Sequence, residues 1–189
     1  NSCYRFNEFI KSNSVNGYHT FKFILDHSIK EQQKFAILKD KYGVIIDDIR
    51  EISNDKINLK YNRFLQRFLF PKIYSADMCR YIINECENYA KHNGGWTTKR
   101  HQSYPTTDLP VNNIPSIFGI ILETLKTITN KISTSYGLHD DMLLDINDLF
   151  VVKYSHDAQN KLELHKDGTL ISFNILLNES NEFEGGGTY

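Results

Sequence analysis

The sequence predicts an α+β chain in which helices buttress an antiparallel β core. Three observations carry that expectation. Around Met78, apolar residues recur at three- and four-residue steps. A long, mostly apolar helical stretch follows, from Ser116 to Gly137. From Leu143 the texture changes: "DINDLFVVKYS" and "TLISFNILLN" are aromatic and β-branched with little helical period, as strands are.

The first helix is read from "FPKIYSADMCRYIINECENYAKHNGGW". Pro71 breaks any preceding helix, and Ser75 is the expected N-cap. Met78, Tyr81, Ile82, Cys86 and Tyr89 share one face, and the helix runs to about His92, where Gly94 and Gly95 end it. "YPTTDLPVNNIP" is extended and carries three prolines. "GGGTY" is expected to open a third strand. Upstream, "YHTFKFIL" (Tyr18 to Leu25) predicts a strand. Ser28 to Gly43 predicts a helix with a capping box from Ser28 and Glu31 and a glycine stop. "GVIIDDIREI" predicts another strand. The expected division is an accessory segment over 1–60, of mixed helix and strand, and a second unit over 61–189.

Composition narrows the class. The chain has 189 residues, 40% hydrophobic and 24% charged, which suits a folded domain rather than a disordered tail. A net charge of −1 gives no field that calls for nucleic acid or an anionic membrane. No apolar run approaches the roughly 18 residues of a membrane span. Three cysteines, Cys3, Cys79 and Cys86, make no disulfide framework. Cys79 and Cys86 fall near one helix face, as small buried residues do.

The chemistry lies in "HKD". In an extended chain, residues i and i+2 point to the same side. The imidazole of His165 and the carboxylate of Asp167 can then share one metal ion while Lys166 points away. They supply two ligands of a two-His-one-carboxylate triad, which leaves positions open on iron(II). Alone, such a pair also occurs on surface loops. Its neighbours add to it. Tyr154 lies on the preceding strand-like run. Asn174 sits between Phe173 and Ile175, where an amide needs a hydrogen-bond partner if buried. Gly185, Gly186 and Gly187 allow close backbone approach, or form a plain loop.

Together these residues resemble the catalytic domain of the procollagen-lysine 2-oxoglutarate 5-dioxygenases, the lysyl hydroxylases. The matching stretches are "FVVKY", "HKD", "SFNILLN" and "NEFEGGG", joined upstream by "FPKIYSADMCRYIINECENYAKHNGGW" and "YPTTDLPVNNI". The resemblance spans Phe68 to Tyr189; Asn1 to Lys60 shows none.

The resemblance implies a double-stranded β-helix, or jelly roll, with flanking helices. It implies an iron(II)- and 2-oxoglutarate-dependent dioxygenase that hydroxylates lysyl residues of collagen-like peptides, with ascorbate as the reductant that restores oxidised iron. His165 and Asp167 match the first two iron ligands, and Tyr154 and Asn174 match positions that contact 2-oxoglutarate. Lys166 stands where the family commonly has His. The family's second iron His and its 2-oxoglutarate Arg lie beyond the glycine run, so the β-helix is expected to be incomplete at Tyr189. A homodimer in the lumen of the endoplasmic reticulum is implied by the same resemblance. A prolyl or other peptidyl hydroxylase, or a non-catalytic jelly-roll binding module, would share much of this pattern. Trp96, Tyr104 and Asp108 are candidates for the substrate side, since an acid pairs with an ammonium; otherwise Trp96 is a packing residue and Asp108 caps a turn.

Overall fold

Ser75 starts the first helix because its hydroxyl accepts from the Met78 backbone N–H at 3.1 Å, satisfying a donor that the first turn leaves orphaned. The computed structural model describes residues 36–38, 40–43, 50–51, 67–138 and 144–187. The helix, α1, covers Ala76–His92. It ends as expected: Gly95 N–H reaches back to the Ala90 carbonyl at 2.8 Å, and Gly94 and Gly95 take φ of 86° and 94°, which a side chain would oppose. The second helix, α2, covers Pro115–Tyr136, with Pro115 in the first turn and Gly137 closing it at φ 62°.

These helices supply most of the core. Met78, Ile82, Cys86 and Ala90 of α1 meet Ile117, Ile120, Ile121 and Leu125 of α2, all buried. Each large side chain so buried stabilises by about 1.5–3 kcal/mol relative to exposure. Cys79 and Cys86 are free; Cys86 is buried and Cys79 half-buried against the same core. Among the described residues, no helix is long and apolar enough to cross a membrane.

The β structure is small and antiparallel. Arg50–Glu51 (β1) pairs with Phe68–Leu69 (β2). Asp108–Pro110 (β3) pairs with Phe150–Val152 (β4), with Leu109 opposite Val151. A bridge from Thr97 to Asp108 covers the other edge of β3. So part of the proline-containing extended stretch is a strand, and Val111–Asn113 after it is a 3₁₀ turn leading into α2. Buried Leu109, Val111 and Ile114 join this connection to the helical core.

Several expectations fall differently. The first strand-like run is paired only over Phe150–Val152, so Tyr154 lies two residues past the end of β4. "TLISFNILLN" is not a strand among the described residues, because a strand exists only where a neighbour takes up its ladder hydrogen bonds, and none does here. Its burial alternates only from Asn174 onward: Ile175 and Leu177 are half-buried and Asn174 and Leu176 exposed, whereas Phe173 is exposed beside Ser172. Ile175 and Leu177 rest on the core. Gly185, Gly186 and Gly187 have φ of 75°, 75° and 140°, a bend, and residues 188–189 of the expected third strand lie outside the described residues. The described residues therefore form a mixed helix-and-strand fold with two-stranded antiparallel sheets, and a closed jelly-roll core is not formed by them.

The expected strand at Tyr18 to Leu25 lies outside the described residues. So does the Ser28 end of the following helix, although residues 36–38 and 40–42 are helical and Gly43 follows at φ 75°. That piece docks on α1: Ser75 N–H donates to the Gly43 carbonyl at 3.1 Å, the Ser75 hydroxyl donates to the Tyr42 carbonyl, and Tyr42 stacks on Tyr81.

Candidate metal site

Beyond β4 the sheet edge holds for one more residue, as Lys153 N–H donates to the Thr107 carbonyl at 2.8 Å. The chain then turns, with Ser155 N–H donating to the Gln159 carbonyl at 2.9 Å. The Gln159 side chain continues the pairing. Its amide oxygen accepts from Thr107 N–H, and its amide nitrogen donates to the Pro105 carbonyl at 2.8 Å. The segment carrying Tyr104 is thereby tied to the loop that carries His165.

His165 and Asp167 do share one side. The Nε2 of His165 lies 3.1 Å from Asp167 Oδ1. On the other edge of the ring, Nδ1 is 2.8 Å from the Glu163 carbonyl, which can only accept, so Nδ1 carries a proton. In the neutral ring Nε2 then presents a lone pair to a carboxylate oxygen. A proton on either atom makes this contact a hydrogen bond, and the same two atoms can instead share a metal ion. A carbonyl that fixes the far nitrogen is the arrangement that aims a metal-ligating imidazole. The pair is thus a fit donor set for a divalent cation, with the His165 side chain 26% and the Asp167 side chain 51% exposed. Among the described residues, no third His, Cys, Asp or Glu completes a cluster with them.

Tyr154 and Asn174 are both exposed, and no hydrogen bond joins either to His165 or Asp167. The exposure of Asn174 removes the expectation that its amide must find a buried partner. His156 pairs with Asp157 at 2.9 Å on a fully solvated turn.

The substrate-side candidates separate. Trp96 packs on the core, and its indole N–H donates to Glu87 Oε2 at 3.2 Å, so it is a packing residue. Lys153 Nζ holds the other oxygen of Glu87 at 2.6 Å. Asp108 is neither free for an ammonium nor a turn cap. It is a fully buried strand residue whose carboxylate is taken by Arg100 at 2.7 Å and by the Thr106 hydroxyl. Arg100 also donates to both oxygens of Asp148 at 2.8 and 2.9 Å. His101 Nε2 is buried without a hydrogen bond, 3.5 Å from Asp108 and 3.8 Å from Asp148. Tyr104 goes elsewhere: its ring stacks on the His165 imidazole, 4.8 Å between centroids and tilted by 30°. Sequence reasoning did not find Arg100, Asp148 or Gln159. Nothing in spacing marks them, because their partners are up to 54 residues away.

Comparison with known proteins shows that the chain contains a lysyl hydroxylase-like region. It is 33% identical over 132 residues to human procollagen-lysine,2-oxoglutarate 5-dioxygenase 2, and 30% identical over 129 residues to procollagen-lysine,2-oxoglutarate 5-dioxygenase 1 of Gallus gallus. The human multifunctional procollagen lysine hydroxylase and glycosyltransferase LH3 is 29% identical over 132 residues. Each match covers 64% of this chain and 17% of the relative, so the likeness is to a small part of a much longer protein. No protein-family model matches the chain, and no solved structure matches it.

Proposed function

We propose that residues 61–189 belong to an iron(II)- and 2-oxoglutarate-dependent dioxygenase that hydroxylates lysyl residues of collagen-like peptides. The observation that carries this is the His165–Asp167 pair, with Nε2 aimed at the carboxylate and Nδ1 tied to a carbonyl. The names of the relatives support the substrate and cosubstrate.

When bound, iron(II) with 2-oxoglutarate and oxygen supplies oxidation of an unactivated C–H bond, the cosubstrate leaving as succinate and carbon dioxide. The chain's part is to hold and aim. His165 offers Nε2 and Asp167 offers a carboxylate oxygen as protein ligands. Tyr154 and Asn174 donate hydrogen bonds to the carboxylates of 2-oxoglutarate. Both are exposed, and so open to a ligand. Ascorbate serves as the reductant of the metal. A jelly-roll enclosure, in which residues 169–178 gain a pairing neighbour, would shield the pocket from water. A homodimer in the endoplasmic reticulum belongs to the same proposal.

The test is to supply the intact protein with iron(II), 2-oxoglutarate and ascorbate, and to measure succinate and hydroxylysine in a collagen-like peptide by mass spectrometry. Succinate with hydroxyproline in place of hydroxylysine would keep the reaction and change the substrate. Absence of 2-oxoglutarate turnover with every peptide would leave a binding module.

A further inference from the structure

We propose that Tyr104, anchored by Gln159, is a positioning residue that fixes the His165 imidazole for metal binding; this rests on the metal-site reading above. The hydrogen bond from Nδ1 to the Glu163 carbonyl pins one edge of the ring at 2.8 Å. A ring held at one edge can still roll about that bond, which swings Nε2 away from Asp167. The Tyr104 ring lies against the imidazole face at 4.8 Å and 30°, and blocks that roll. Edge and face together set where the Nε2 lone pair points. Outer partners of this kind orient metal ligands, and their loss typically costs about 10–100-fold in metal affinity.

A stacking partner serves only if it is itself fixed. Tyr104 lies outside regular structure, before β3, and its own side chain is 42% exposed. Its fixity comes from its neighbours. Gln159 accepts from Thr107 N–H and donates to the Pro105 carbonyl, as a strand peptide would, where the backbone pairing of β4 has run out. Gln159 is held in turn, its backbone carbonyl accepting from Ser155 and its amide donating to the Lys161 carbonyl at 3.2 Å. The brace therefore runs from the β3–β4 ladder through Gln159 to the segment of Tyr104, and from that ring to His165. The contact is made by the ring, not by the hydroxyl.

The experiment compares the intact wild-type protein with Tyr104→Phe, Tyr104→Ala, Gln159→Ala and His165→Ala. The readouts are anaerobic iron(II) titration by calorimetry and the nitrogen NMR signals of the His165 ring, with thermal melts alongside. Tyr104→Ala is expected to weaken iron(II) by about 10–100-fold with broadened His165 signals and an unchanged melt. Tyr104→Phe, which keeps the stacking face, should behave as wild type. Gln159→Ala should shift affinity in the same direction by less. If Tyr104→Ala does not fold, Tyr104→Leu carries the same comparison, because it keeps bulk but not the flat face. Wild-type iron affinity in the Tyr104 variants, beside loss in His165→Ala, overturns the proposal and leaves the metal site standing. Unchanged affinity in His165→Ala overturns both.

Discussion

Arg100 donates to Asp108 Oδ1 at 2.7 Å, and the side chain it meets has no exposure to solvent. The pair joins the loop after α1 to the strand that lies against β4. Removing one partner of a buried ion pair leaves the other uncompensated, which costs about 3–5 kcal/mol. Arg100→Ala is therefore expected to destabilise the fold by that order in chemical denaturation. Asp148→Ala, which removes a carboxylate 37% exposed, should cost much less. A change within about 0.5 kcal/mol for Arg100→Ala, the range of ordinary surface substitutions, would remove the ion pair from the account of stability.

Loss of either candidate ligand should end turnover without unfolding. His165→Ala and Asp167→Ala remove partly exposed side chains from a loop that contributes no core residue. Assays of 2-oxoglutarate decarboxylation in the intact protein, with circular dichroism alongside, check this. Normal turnover by either variant would contradict the assignment of iron ligands.

Cosubstrate and metal binding should separate. Tyr154→Phe and Asn174→Ala are expected to raise the Michaelis constant for 2-oxoglutarate by about 10–100-fold, the equivalent of a charge-assisted hydrogen bond of about 1.5–3 kcal/mol. Iron affinity should stay near wild type. Because Asn174 is exposed, its loss should leave the melting temperature alone. An unchanged Michaelis constant in both variants would defeat the cosubstrate role.

Acid should weaken one tertiary link. Burial works to raise the Glu87 carboxyl pKa, but hydrogen bonds from Lys153 and Trp96, with the Lys153 charge, outweigh it and hold the pKa below its ordinary value. The unfolded chain then binds the proton more readily, so the stabilisation is present above the ordinary carboxylate pKa and is lost as pH falls through the folded one. The group is partly exposed, so the effect is of the order of a surface pair, about 0.2–1 kcal/mol. Glu87→Gln should flatten the acid limb of the stability–pH curve by that amount. A curve that keeps its acid slope would place the titration elsewhere.

The thiols should differ in reactivity. Burial pushes the Cys86 thiol up to about 12 and raises Cys79 less. With a maleimide at neutral pH and peptide mapping, Cys79 should label in the native protein and Cys86 only on unfolding. Equal native labelling would mean that α1 opens far more readily than its buried face suggests.

What was legible in the sequence was what local chemistry decides. The cap at Ser75, the glycines after α1, the apolar faces of both helices and the shared side of His165 and Asp167 all depend on residues a few positions apart. The strands were less legible. Phe150–Val152 pairs because β3 is there, whereas residues 169–178 have the same texture and no neighbour among the described residues. Asp108 is a substrate candidate in the sequence because nothing in spacing shows that Arg100 and the Thr106 hydroxyl take its carboxylate. Tyr104 was singled out for a substrate, and the stack on His165 could not be read because it depends on where Gln159 ties two loops together.

The alternation of residues 174–177 has an evolutionary consequence. Asn174 and Leu176 are exposed, while Ile175 and Leu177 turn inward. Deleting or inserting a single residue between Asn174 and Leu177 exchanges the two faces beyond it, and turns an inward aliphatic side chain into water. A change of two residues keeps the faces and only slides them. Length variation among homologous chains in this interval should therefore come in even steps, while the turn between Ser155 and Gln159 is under no such parity rule.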